Sequence, residues 1–144
     1  IYHDPMNQFV ATFFGSPAMN LIAGEVRQKT GGPVFVFDGW QVPLEGMGEL
    51  PDGPATLGIR PEAVCVEGVT NGHRARVTLM EPLGKETLIY LDYGAERLLI
   101  AVANPSIRVA EGASLEFDLS RGRLYLFDAE GRRLGRCQSD GTIQ

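Results

Sequence analysis

A barrel of short antiparallel strands, closed or nearly closed and preceded by one short helix, is the architecture this sequence predicts. Three observations carry the expectation. From residue 20 onward, apolar runs of about four to eight residues are separated by Gly, Pro, Asn and Asp turn signals. Within the runs the apolar positions alternate, as in Leu115, Phe117 and Leu119 against Ser114, Glu116 and Asp118. Closure would also remove the unpaired edges that so many short strands leave. Ahead of residue 20 the period changes to that of a helix.

That helix begins at Asp4-Pro5, where Asp can cap free N–H groups and Pro is tolerated in the first turn. Met6, Phe9, Val10, Phe13 and Phe14 then form one apolar stripe, and Gly15 and Pro17 end it. Bare to solvent, such a stripe is unfavourable, so it is expected to fold back on the barrel or to meet another copy. Strands are expected over Leu21–Val26, Val34–Phe37, Trp40–Leu44 and Ala55–Arg60, with turns at 31–33 and 38–39 and a loop over 45–54. Ala63–Glu67 follows, and Asn71-Gly72 reads as a short hairpin turn. Ala75, Val77 and Leu79 form the next inward set, then Thr87, Ile89 and Leu91, then Leu98, Ile100 and Val102. Tyr93-Gly94, Asn104-Pro105 and Arg121-Gly122 break the chain before Leu115–Leu119 and Leu124–Phe127. The organisation expected is a helix and linker over 1–19, a barrel domain over 20–136 and a polar tail over 137–144.

The 144 residues are 44% hydrophobic and 22% charged, enough for one ordinary core. A net charge of −5 argues against a nucleic-acid partner held by bulk electrostatics. No apolar run reaches the length of a membrane-spanning helix, and residues 1–20 lack a basic region followed by an apolar core. A cytoplasmic setting is expected. The chain starts at Ile1 rather than Met, which reads as a fragment or a processed chain. Cys65 and Cys137 are too few for a disulfide framework, and Cys65 within Ala-Val-Cys-Val is expected to be a buried inert thiol.

Catalytic patterns are incomplete. Gly84-Lys85 lacks the earlier Gly of a phosphate loop, where Leu79 stands, and carries Glu86 where Ser or Thr is needed. Gly46-Met47-Gly48 is half a dinucleotide fingerprint, and the neighbouring Pro51 makes it a loop. His3 and His73 have no Cys or His at metal spacing. Ser16 and Ser106 flank Pro, where hydroxyls serve turn geometry. Glu25, Glu86, Asp92, Glu116 and Asp118 fall on outward strand positions, so a solvated face is expected. No catalytic residue, cofactor site or metal site is assigned.

The most informative stretch is Leu57-Gly58-Ile59-Arg60-Pro61-Glu62. It reads as a strand end running into a rigid corner, because Pro61 locks its own φ and biases Arg60 toward extended backbone. The hexapeptide resembles a signature in the C-terminal accessory (TOBE, OB-like) domain of ATP-binding subunits of bacterial ABC importers, the sugar and glycerol-phosphate type. Three further stretches agree in type and order. Phe9–Asn20, with Gly15, Ser16, Pro17, Met19 and Asn20, resembles the segment leading into that domain. Leu83–Thr87, with Gly84, Glu86 and Thr87, resembles its Gly-x-Glu-Thr turn. Leu124–Gly131, with Phe127 and Asp128, resembles its closing segment, although Tyr125 replaces the usual His and Glu130 the usual Thr.

The resemblance implies an OB-like barrel, often split into two small sub-barrels. It implies a regulatory and dimerisation role in carbohydrate or related solute uptake, with a second copy of the subunit as partner. Permease subunits would be reached through an ATPase domain absent from this sequence, which would hold the ATP and magnesium. The place implied is the cytoplasmic face of the membrane, and a regulatory protein is a further implied partner. The alternative class is a small-ligand barrel binding an oxyanion, with Arg60, Arg74 and Arg76 as its only basic candidates. An unrecognised enzyme is the third.

Overall fold

The structure, a computed structural model, describes residues 19–120 and 123–136. The helix expected over residues 4–14, the sites Gly15, Ser16 and Pro17, the Arg121-Gly122 turn and the tail over 137–144 lie outside the described residues. The chain divides into two compact units. One is drawn from the residues up to Ile59 and from Ser120 onward, the other from Arg60–Leu119. Each contains one antiparallel sheet.

The first unit contains β1 (Asn20–Lys29), β2 (Gly32–Phe37), β3 (Trp40–Pro43), β4 (Gly53–Ile59), β10 (Leu124–Phe127) and β11 (Arg133–Arg136). Their order across the sheet is β11-β10-β4-β1-β2-β3. β1 to β3 form a meander, and Asp38 and Gly39 between β2 and β3 both have positive φ, at 54° and 76°. That is the backbone whose twist suits a two-residue hairpin, and Asp-Gly tolerates it. Ile22, Val26, Phe35, Leu57, Ile59, Leu124 and Phe127 are buried. The sheet curls until Gly135 of β11 lies against Met47, in the segment that follows β3.

The second unit opens with a 3-10 turn, Pro61–Ala63. Then come β5 (Val64–Cys65), β6 (His73–Pro82), β7 (Thr87–Asp92), β8 (Leu98–Ala103) and β9 (Ser114–Leu119). The order is β5-β9-β6-β7-β8, and β8 returns to pack on β5 and on the 3-10 turn. The two ends of the sheet therefore meet, and the barrel is nearly closed. Val77, Ile89, Leu91, Leu99 and Phe117 fill its core.

Four local expectations are corrected. Asn71-Gly72 turns the chain, with Asn71 at a φ of 61°, but it joins no hairpin, because β5 pairs with β9 and not with β6. Leu79 points outward, 47% exposed, although Ala75 and Val77 point in. The cause is a β-bulge: the β6–β7 register shifts between Val77 and Leu79, and one extra residue reverses side-chain parity beyond it. On β8 the inward residues are Leu99, Ala101 and Ala103, not Leu98, Ile100 and Val102. Every position of that strand is apolar, so alternation could not choose the face. Cys65 is exposed, because Val64 occupies the inward position of the two-residue β5.

Candidate functional site

The hexapeptide corner is where the chain leaves the first unit for the second, between Ile59 and Arg60. Arg60 is extended, with φ −75° and ψ 151°, as a residue before proline must be. Pro61 then occupies the first position of the 3-10 turn, where no N–H is needed. The Ala63 N–H donates to the Arg60 carbonyl at 2.9 Å, and the Val64 N–H donates to the Pro61 carbonyl. Pro61 and Ala63 are buried, Arg60 is half-buried and Glu62 is exposed. Val64 enters β5 at once and pairs with Leu119 of β9. β4 of the first unit thus precedes the corner, and β5 of the second follows it.

Gly58 brings three of the quoted stretches together. It sits on β4 between Leu21 of β1 and Tyr125 of β10. A Cβ there would stand 2.5 Å from the Met19 Sδ and 2.9 Å from the Phe127 Cε2, well inside van der Waals contact. Met19, Tyr125 and Phe127 form a buried cluster, with Leu21 against it. Asn20 is buried and pairs with Ile59. Met19 and Asn20, Gly58, and Phe127 are far apart in sequence and form one packed patch that depends on a missing side chain.

Gly84, Glu86 and Thr87 belong to the β6–β7 hairpin. The Leu83 N–H donates to the Glu86 carbonyl at 2.7 Å, and the Lys85 N–H to the Leu83 carbonyl at 3.2 Å. Gly84 at the centre of that tight turn has a φ of 87°, a region costly for side-chain-bearing residues. Glu86 is exposed, whereas Thr87 is 4% exposed and pairs with both Pro82 and Ala103. A phosphate loop leads from a strand into a helix whose N-terminal N–H groups hold the anion. Here Gly84-Lys85 lies between two strands, so the loop lacks the strand-to-helix geometry of a phosphate loop.

Asp128 organises the β10–β11 turn. Its Oδ1 accepts the N–H of Glu130 at 2.9 Å and of Arg132 at 2.8 Å. Its own N–H donates to the Arg132 carbonyl at 2.7 Å. The Arg132 N–H foremost, then the Glu130 N–H and the Arg132 guanidinium, hold its carboxyl below the ordinary value of 3.8, against a smaller opposing effect of desolvation. These contacts close the turn between β10 and β11.

Three of the other outward carboxylates have partners within the chain. Glu25 pairs with Arg27 at 2.6 Å, Asp92 lies 3.8 Å from Arg76, and the Glu116 Oε1 accepts the Gly72 N–H at 3.1 Å. Of the basic candidates for an oxyanion, Arg76 thus has a carboxylate neighbour, Arg74 stands opposite Glu116 in the register and Arg60 lies at the corner. Ser106 donates its hydroxyl and its N–H to the Asn104 Oδ1, a turn role. Among the described residues no group of three or more His, Cys, Asp and Glu could hold a metal, and no helix is long and apolar enough to cross a membrane. Glu111 was invisible to sequence reasoning: its carboxylate accepts the Met80 N–H at 3.0 Å beside the bulge. Its neighbours in sequence carry no signal of that contact.

Comparison with known proteins agrees with this geometry. A family profile described as the TOBE domain matches residues 57–127, and one described as the MalK OB fold domain matches residues 15–64. The sn-glycerol-3-phosphate import ATP-binding protein UgpC 2 of Agrobacterium fabrum is 35% identical over 100% of this chain and 38% of that protein. UgpC of Escherichia coli strain K12 is 36% identical over 93% of this chain and 38% of its own length. The osmoprotective compounds uptake ATP-binding protein GgtA of Synechocystis is 33% identical, over 90% of this chain and 38% of that protein. The chain thus spans little more than a third of the length of these relatives. With two profiles meeting at the Leu57–Glu62 corner and the strands to match, the chain belongs to the TOBE and OB-fold domains of ABC importer ATP-binding subunits.

Proposed function

We propose that this chain is the regulatory and dimerisation region of an importer ATP-binding subunit that serves uptake of glycerol phosphate, carbohydrate or a related solute. The observation that carries the reading is the corner at Leu57–Glu62, which ends the central strand β4 and opens the second unit on a 3-10 turn with Pro61 in its first turn. Such a connection suits a brace. A partner that prefers one arrangement of the subunit can act through it only if the receiving surface is rigid.

In this reading ATP and magnesium belong to an ATPase domain of the full-length subunit, through which the permease subunits are also reached. This chain binds neither and carries no catalytic residue. It works at the cytoplasmic face of the membrane, joins a second copy of the same subunit, and offers a surface to a regulatory protein. Gly58, Arg60, Pro61 and Glu62 are architectural, as are Gly84, Glu86 and Thr87.

Light scattering of the full-length subunit, with and without residues 20–144, tests the proposal. Weaker self-association of the truncated form is expected. Equal self-association of both would remove the dimerisation claim.

A further inference from the structure

Asn71-Gly72 reads as a hairpin turn but joins no hairpin, because β5 pairs with β9 and not with β6. It stands directly before β6, which begins at His73. Asn71 is exposed and holds a φ of 61°. Gly72 is half-buried, and its N–H donates to the Glu116 Oε1 at 3.1 Å. A Cβ on Gly72 would collide with the Phe117 carbonyl oxygen and with the Val69 side chain. Two consecutive residues of β9 therefore hold the Gly72 backbone, Glu116 by a hydrogen bond and Phe117 by packing. His73 and Phe117 are register partners, so this grip lies at the end of the β6–β9 ladder.

Asparagine is among the thermolabile residues, and a following glycine exposes it most, because no side chain shields the backbone nitrogen next to it. That nitrogen, after losing its proton to hydroxide, attacks the asparagine Cγ. A nitrogen–Cγ bond forms and closes a succinimide ring, and the Cγ–Nδ2 bond breaks. The departing amide nitrogen takes a proton from water and leaves as ammonia, which regenerates the hydroxide. Water then opens the ring at either carbonyl. One opening gives aspartate, the other isoaspartate, in which the main chain runs through the former side chain.

We infer that Asn71 is a site of spontaneous deamidation and that Glu116 guards it in the folded chain. The nucleophile is the same nitrogen whose proton the Glu116 carboxylate accepts. A carboxylate is far too weak a base to remove an amide proton, so this contact does not prepare the attack. Its negative charge lies beside the nitrogen that must itself turn negative, and it disfavours that anion. The packing of Gly72 against Phe117 and Val69 restrains the rotation that would carry the nitrogen onto the Asn71 Cγ. The reaction therefore proceeds when the end of the β6–β9 ladder opens. Its products oppose reclosure, because each adds a carboxylate at residue 71, next to the residue that Glu116 holds, and isoaspartate also lengthens the main chain. The turn is a one-way record of opening at this edge.

The test incubates the full chain in mildly alkaline buffer and follows residue 71 by mass-spectrometric peptide mapping, with isoaspartate read by an enzyme that methylates isoaspartyl carboxyls. The folded wild-type chain is expected to lose the Asn71 amide roughly tenfold more slowly than the same chain in urea, since reaction waits on local opening. Glu116→Gln keeps an acceptor oxygen but no charge, and folded it is expected to deamidate at Asn71 about threefold faster than wild type, the scale of one surface charge contact. Glu111→Ala is the control for general loosening: it lies in the same unit, its carboxylate accepts the Met80 N–H instead, and Asn71 in it should react at the wild-type rate. Equal rates in the folded and the urea-unfolded wild type would overturn the guard. So would a Glu116→Gln rate equal to wild type, or a Glu111→Ala rate raised as far as that of Glu116→Gln. An Asn71 amide that persists even in urea would overturn the site itself.

Discussion

Gly58 is the position where one atom decides most. Its hydrogen leaves room for the Met19 Sδ and the Phe127 ring, and its two flanking strands allow no retreat. Gly58→Ala is expected to destabilise the chain by about 1–3 kcal/mol, the cost of overpacking a filled site. Gly31→Ala, where a Cβ meets nothing, is the control and should lie within about 0.5 kcal/mol of wild type in the same urea titration. Asp128 acts through charge. Its folded pKa lies below the ordinary 3.8, so its contribution is fully present above that value and is lost as pH falls through the folded value. Asp128→Asn keeps an acceptor oxygen but no charge. It should melt lower than wild type at pH 7, and the two melting curves should converge below the ordinary aspartate range. Cys65 has the opposite shift: desolvation, and after it the Asp118 charge, push its thiol up. In a Cys137→Ser background Cys65 should therefore label completely with a maleimide in the folded state, yet more slowly than a free cysteine at pH 7.5.

At the scale of elements, the second unit departs from ideal strands in two places. Beside the β6 bulge the Glu111 carboxylate supplies the acceptor that a neighbouring strand would otherwise provide. Glu111→Ala is expected to cost about 1 kcal/mol in urea unfolding and to increase hydrogen exchange at the Met80 amide. The β7–β8 turn carries the second departure. The Arg97 N–H donates to the Gly94 carbonyl at 2.9 Å, while Ala95 and Glu96 between them hold φ angles of 53° and 60°. Neither residue suits that region, whereas Asn-Gly does. The double change Ala95→Asn and Glu96→Gly should raise stability by about 1 kcal/mol without altering the fold. Arg97 holds the same turn from the side, its Nε donating to the Gly94 carbonyl and its guanidinium lying 4.6 Å from the Tyr93 ring centroid. Arg97 is best left in place when the turn is rebuilt.

For the whole molecule, the Gly84-Lys85 loop has the geometry of a strand-to-strand turn and not of a phosphate loop. The Gly84-Lys85 loop sits in a hairpin, and its last carbonyl closes the turn onto the Leu83 N–H. Titration of the chain with ATP and magnesium is expected to give no heat of binding. A saturable signal would contradict the assignment of nucleotide chemistry to another domain of the full-length subunit. What the described residues do offer is a 3-10 turn opened by Pro61 and, on β8, the outward apolar residues Leu98, Ile100 and Val102.

How much of this was legible beforehand follows from the physics of each feature. Local rules sufficed where one residue type has one cheap conformation. Asp38-Gly39 had to turn, Pro61 had to set a corner, and the alternation of Leu115, Phe117 and Leu119 had to give a half-buried strand, although Leu115 itself is only half-buried. The quoted motifs also identified the domain. Tertiary structure alone settled the remainder. Which face of β8 turns inward depended on the space left by β7 and the 3-10 turn, since the strand is apolar throughout. The outward turn of Leu79 depended on a bulge whose extra residue looks like any other in the sequence. The convergence of Met19, Gly58 and Phe127 depended on strand order, which short-range preferences do not encode because it is a matter of how distant strands close around a shared core.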